Sequence, residues 1–92
     1  MHQSEEQQLL EGLALGEFND FWRIWQHHCD QLRSLCRRIL PGQYDEVEDA
    51  LSETMLRAYQ ELPPRAAEID NLDAWLGRIA YNICIERWRR QS

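Results

Sequence analysis

No lysine occurs among the 92 residues; all ten basic residues are arginine. Arginine forks onto phosphate and stacks on bases better than lysine does. It is also the basic residue favoured by GC-rich coding sequence. Proline is confined to Pro41, Pro63 and Pro64, so long stretches are free to be helical. Nothing alternates polar and apolar with period two over a useful length, which excludes a sheet. No apolar run approaches the roughly 18 residues of a membrane span. Met1 to Glu6 is polar and acidic, unlike a secretory leader. The three cysteines, Cys29, Cys36 and Cys84, form no CxxC pair and no disulfide framework. The expected compartment is the cytoplasm. There is no internal repeat, no low-complexity tract and no glycine-rich phosphate loop.

What is present is enough for one helical domain. A chain of this size buries roughly 60–70% of its unfolded surface. Apolar residues make up 43% and charged residues 28%, ordinary for a globular protein. The net charge of −6 argues against non-specific wrapping of duplex DNA. The charge is unevenly spread: the first 61 residues are strongly acidic, whereas 76–92 carry Arg78, Arg87, Arg89 and Arg90 against Glu86 alone.

Hydrophobic periodicity predicts four helices, at about 4–15, 17–40, 45–62 and 71–90. Ser4 and Gln7 have capping-box spacing at the first, whose inner face is Leu9, Leu10, Leu13 and Ala14, with Gly16 as its stop. The second carries Phe18, Phe21, Trp22, Trp25, Cys29, Leu32, Leu35, Cys36 and Ile39 on one stripe, and Pro41-Gly42 ends it. The third turns Val47, Ala50, Leu51, Thr54, Ala58 and Leu62 inward and Glu46, Asp49, Ser52, Glu53 and Leu56 outward. Pro63-Pro64 is expected to terminate it. A connector follows to about Asp70, and Asn71 or Asp70 is the expected cap of the fourth. That helix has an apolar stripe of Leu72, Trp75, Leu76, Ile79, Ala80 and Ile83, while Arg78, Tyr81, Asn82, Ile85 and Arg89 share another face. The fold class is all-α, a compact bundle of about four helices.

Little in the chain points to catalysis. The carboxylates of the third helix have no nucleophile or histidine near them in sequence, and a solvated acidic face accounts for them. His27, His28, Cys29 and Cys36 are close in sequence, but adjacent helical residues diverge by about 100° and both cysteines lie on the apolar stripe, so no zinc site is expected. Neither a cofactor nor an enzymatic activity is expected. The fourth helix is the informative element. Arginines, Trp75, Tyr81, Trp88 and the amide of Asn82 together suit a single nucleic-acid strand, whose bases stack for roughly 1–3 kcal/mol each. Solvated arginines near a helix C-terminus are the plainer alternative.

Three segments resemble one family. Glu46-Val-Glu-Asp-Ala-Leu-Ser-Glu-Thr-Met-Leu-Arg-Ala-Tyr59 resembles the "(D/E)xEDxxQExxLRAW" helix in region 2 of bacterial sigma factors of the extracytoplasmic-function (ECF) type. Leu72-Asp-Ala-Trp-Leu-Gly-Arg-Ile-Ala-Tyr-Asn82 resembles that family's "FxxWLxRIAxN" helix, and Arg89-Arg90 matches its basic tail. Leu9-Leu10, Gly16-Glu17 and Phe21 resemble its "LLxxxxxGDxxAF" opening.

The resemblance implies a region 2 domain over 1–92 that docks on the β′ clamp helices of RNA polymerase, melts the minus-ten promoter element and holds its non-template strand. Asp49, Ser52, Glu53 and Leu56 fall at the polymerase contact. Trp75, Arg78, Tyr81 and Asn82 fall on the helix that meets melted DNA. Arg65 and Asn71 fall in the connector that captures a flipped base, and Arg87, Arg89 and Arg90 at backbone phosphates. An anti-sigma factor is a further implied partner; a membrane is not. Ser52 stands where the family usually has glutamine, and Gly77 and Tyr81 stand where it is often basic. The helix-turn-helix of region 4 is not in these 92 residues, and the ending at Arg-Arg-Gln-Ser is expected of an excised domain. The alternative is a sigma-like module that binds polymerase or an anti-sigma factor without initiating transcription.

Overall fold

The computed structural model describes the backbone of residues 3–91 and the side chains of residues 5–91. Four α-helices follow one another: α1 (Gln3–Ala14), α2 (Asn19–Ile39), α3 (Tyr44–Arg65) and α4 (Leu72–Arg90), with a single 3₁₀ turn at Ala66–Glu68 before α4. No strand occurs among the described residues. The all-α expectation is met. Ser4, the expected cap, falls within α1, and its side chain lies outside the described residues.

Glycine ends α1 and separates α2 from α3. Gly16 (φ 93°) and Gly42 (φ 74°) take the left-handed conformation that an L side chain would resist. The inner face of α3 is as expected: Val47, Ala50, Leu51, Thr54, Ala58 and Leu62 are all buried. Thr54 satisfies its buried hydroxyl by donating to the Ala50 carbonyl at 2.8 Å. In α1, Leu9, Leu10 and Leu13 are buried and Ala14 is exposed. In α4, Leu72, Leu76, Ala80 and Ile83 are buried together with Cys84, while Trp75 and Ile79 pack at the core margin.

Two expectations are corrected. The helix α3 does not stop at Pro63-Pro64 but runs through both to Arg65. Proline's fixed φ is compatible with a helix, and what it removes is the hydrogen bond to the carbonyl four residues back. Here the loss falls on the last turn, where the Ala66 N–H already bonds to Pro63 O in the tighter 3₁₀ pattern. Leu62 (0% exposed) and Ala66 (2%) pin the segment to the core on either side. The stripe of α2 is also rotated from the expected one. Ile24 and His28 join Phe21, Trp25, Leu32 and Cys36 inside, whereas Phe18 and Trp22 are about half exposed.

His28 is buried because it has polar partners. Nδ1 lies 2.6 Å from Asp73 Oδ1 and Nε2 lies 3.1 Å from Glu6 Oε1. One side chain of α2 thereby ties α1 to the first turn of α4. Cys36 and Cys84 meet in the core, and the hydrogen bond to Cys36, then burial, push the Cys84 thiol well above the usual thiol range.

Candidate functional site

The outer ridge of α3 carries one candidate surface. Asp49, Ser52 and Leu56 are exposed and Glu53 is partly so. At about 100° per residue these four positions fall within one third of the helix circumference. The structure therefore brings the four expected docking residues onto one solvent face. Asp49 makes no ion pair among the described residues.

The two edges of this ridge differ. On the α2 side, Arg33 Nε donates to Glu48 Oε2 at 3.0 Å. Along the same edge Trp22 stacks on Tyr59, with ring centres 5.9 Å apart and planes at 24°, and Phe18 lies 6.4 Å from Tyr59. Tyr59 follows Ser52 and Leu56 in the i, i+4, i+7 series, so the aromatic group extends the ridge. The sequence reading sets Phe18 and Trp22 on the apolar stripe of α2 and leaves Trp22 open between core and surface patch; the structure puts both at the surface. The signal that separates them is the phase of Ile24 and His28, and it is hidden because a histidine does not read as apolar.

On the α4 side, Arg87 reaches across to α3. Its Nη1 donates to Glu46 Oε2 at 3.0 Å and its Nη2 to Glu53 Oε1 at 3.1 Å. Burial works to lower the pKa of Arg87, and its hydrogen bonds to the carboxylates of Glu46 and Glu53 outweigh it, so the net direction is upward. The sequence reading places Arg87 with Arg89 and Arg90 at phosphates; in the structure it lies about 160° around the helix from Arg89 and about 60° from Arg90, and it meets carboxylates. Arg90 pairs with Glu86 at 2.6 Å on the exposed face.

The second candidate surface is a cleft of about 330 Å³ between the connector and the start of α4. Arg65, Glu68, Ile69, Asp70 and Asn71 line it from the connector, and Ala74, Trp75 and Arg78 line it from α4. Of the residues expected at DNA, this cleft gathers Arg65, Asn71, Trp75 and Arg78. Asn82 lies elsewhere, in a groove between α3 and α4 that it shares with Arg57, Gln60, Glu61, Arg78 and Ile79. Arg78 is common to both, and Tyr81 is about half exposed but lines neither. Glu68, Ile69, Asp70 and Ala74 are not named by the sequence reading, because the wall they form depends on how the 3₁₀ turn packs on α1 and α3 beside the start of α4.

Local chemistry sets the cleft. Asn71 adopts an extended backbone (φ −129°, ψ 95°), and its Oδ1 accepts the Ala74 N–H at 3.0 Å, capping α4. That bond occupies the amide oxygen and leaves the Nδ2 hydrogens for a ligand. Trp75, at the core margin, offers an apolar wall. Two guanidinium groups are balanced by the carboxylates of Glu68 and Asp70, so the cleft has no strong net charge. It suits the polar edge of a neutral ring better than a phosphate. His28 holds Asp73, two residues after Asn71, and so ties the first turn of α4 to α2. Among the described residues, no group of three or more His, Cys, Asp or Glu side chains is placed to hold a metal ion, and no helix is long and apolar enough to cross a membrane.

The ECF RNA polymerase sigma factor SigM of Mycobacterium tuberculosis is 31% identical over 93 aligned residues, covering 97% of this chain and 44% of SigM. The ECF RNA polymerase sigma factor SigW of Bacillus subtilis is 34% identical over 83 residues, covering 84% of this chain and 40% of SigW. The chain thus spans less than half the length of these curated relatives. No solved structure matches significantly. The family profile of sigma-70 region 2 matches residues 24–92, three quarters of the chain and both candidate surfaces, and the chain belongs to that family.

Proposed function

We propose that this domain is the polymerase-docking and promoter-melting part of an ECF sigma factor acting in transcription initiation. The outer ridge of α3, with Asp49, Ser52, Glu53 and Leu56, meets the β′ clamp helices. The connector–α4 cleft receives a base of the non-template strand at the minus-ten element, with Arg65, Asn71, Trp75 and Arg78 around it. Tyr81, Asn82 and Arg89 continue the path of the strand along α4. The observation that carries the reading is the separation of the two surfaces: an acidic ridge on α3 and a charge-balanced, aromatic-walled cleft at the start of α4. Extruding a base costs a few kcal/mol, and a formed cleft with a stacking wall and a hydrogen-bond donor can repay it. The acidic remainder of the molecule disfavours random duplex.

Calorimetry of the 92-residue chain with isolated β′ clamp helices tests docking, and fluorescence anisotropy with a minus-ten single strand tests recognition. Asp49→Arg abolishes clamp binding without disturbing any ion pair among the described residues, and it leaves strand binding in place. Trp75→Ala has the converse effect. Clamp affinity unchanged by Asp49→Arg refutes the docking face. A second reading, a sigma-like module that binds a protein partner such as an anti-sigma factor without initiating transcription, is favoured by the exposed Phe18–Trp22–Tyr59 group, which lies outside the cleft. It takes precedence if the clamp or an anti-sigma factor binds while no promoter strand does.

A further inference from the structure

We propose that Arg87 is a positioning residue of the polymerase-docking ridge, holding Glu46 and Glu53 in place on α3, and not a phosphate contact. This rests on the docking reading above. Helical phase gives the first reason. Ala80, Ile83, Cys84 and Arg87 follow one another at i, i+3, i+4 and i+7, so Arg87 continues the buried stripe of α4. Arg78 lies about 180° around the helix from it, and Tyr81, Asn82 and Arg89 are each at least about 120° away. A strand running along those residues does not reach Arg87.

Contacts give the second reason. The Arg87 side chain is only 20% exposed, and both terminal nitrogens are engaged at 3.0 and 3.1 Å. Its Nε is buried without an acceptor among the described residues. A donor left unpaired in that position shows that the two carboxylates, not solvent, dictate where the side chain lies. A phosphate contact would require both pairs to break.

The consequence for docking follows from which oxygens are held. Arg87 takes Oε2 of Glu46 and Oε1 of Glu53. Among the described residues, Glu46 Oε1 has no ion-pair partner and can accept from outside, and the one partner of Glu53 Oε2 is Arg57, at 3.7 Å. Two long, flexible side chains on one edge of the ridge are thus fixed before a partner arrives, which lowers the entropic cost of binding a basic surface. The guanidinium fork spans both carboxylates at once; an ammonium would reach one.

The test uses the 92-residue chain, with calorimetry against the clamp helices and anisotropy against the minus-ten strand across a salt series. Arg87→Gln weakens clamp binding about tenfold, the loss expected when charge-assisted pairs that fix the ridge are removed. Strand affinity and its salt slope stay as in the unsubstituted chain. Arg87→Lys, which keeps the charge, recovers part of the clamp affinity. Unchanged clamp binding, with the salt slope on the strand reduced by about 0.7, overturns the proposal in favour of a phosphate contact. Equal losses of both affinities, tracking a lowered unfolding midpoint in Gln and Lys variants alike, overturn it in favour of a purely structural role. If the unsubstituted chain itself ignores the clamp helices, the docking reading fails first and takes this assignment with it.

Discussion

Asn71 has two roles that substitutions can separate. Its Oδ1 caps α4 through the Ala74 N–H at 3.0 Å, and its side chain lines the cleft of about 330 Å³ with the Nδ2 hydrogens not used by the cap. Asn71→Ala removes both functions. Loss of an N-cap costs about 1 kcal/mol, within a range of roughly 0.5–2. For a domain of this size that lowers the unfolding midpoint by about 4–8 °C. Asn71→Asp keeps an acceptor at the cap and adds a negative charge at a helix N-terminus, a favourable term of roughly 0.3–1 kcal/mol. The carboxylates of Asp70 and Asp73 beside it offset part of that gain. The aspartate variant should therefore melt within a few degrees of the unsubstituted chain. It nevertheless loses the amide donors and places an anion where a nucleotide must enter, so its affinity for the minus-ten strand falls as far as that of Asn71→Ala. Thermal unfolding by circular dichroism and anisotropy on the same three proteins decide the matter. If Asn71→Asp melts as low as Asn71→Ala, the side-chain oxygen does not cap α4. If it binds the strand as well as asparagine does, Asn71 does not contribute to recognition.

Leu62→Ala should destabilise the chain by about 2–5 kcal/mol, the range for truncating a fully buried leucine. The readout is the urea midpoint, and a loss below about 1 kcal/mol would mean that Leu62 is not what holds α3 helical through Pro63 and Pro64. Cys84 predicts an alkaline weakness. Its folded pKa is raised, so its contribution is fully present below the ordinary thiol value of 9.0 and is lost as pH rises beyond it, when only the unfolded chain gives up the proton. Stability should fall above pH 9 by up to about 1.4 kcal/mol per pH unit from this group, and Cys84→Ala should show the shallower fall. Parallel curves for the two proteins would remove Cys84 from the account.

The inner faces of α1, α3 and α4 were readable because leucine, isoleucine, valine and alanine recur there at helical spacing and little else competes. The end of α3 was misread because proline is a strong local stop signal, whereas the segment is held by Leu62 and Ala66 in the core. In α2 the stripe was read from aromatic residues, yet His28 occupies an inner position through Glu6 and Asp73, partners 22 and 45 residues away. Local chemistry narrows the cap of α4 to Asp70 or Asn71, and the Ala74 N–H bond decides for Asn71. Arg87 was grouped with its neighbours in sequence, although its helical phase already set it with Ala80 and Cys84.

The sequence by itself determined that this chain is four amphipathic helices with an acidic outer ridge on the third and a basic, aromatic fourth, and its motifs pointed to the sigma-70 region 2 family. Those properties depend on residue type and spacing within a turn or two. Only the tertiary structure decided that the connector folds against Trp75 and Arg78 to make a cleft, that Arg87 serves the ridge of α3, and that Trp22 stacks on Tyr59 at the surface. Each of these joins residues from different helices, and the relative placement of helices follows from how the whole core packs, which no local spacing encodes.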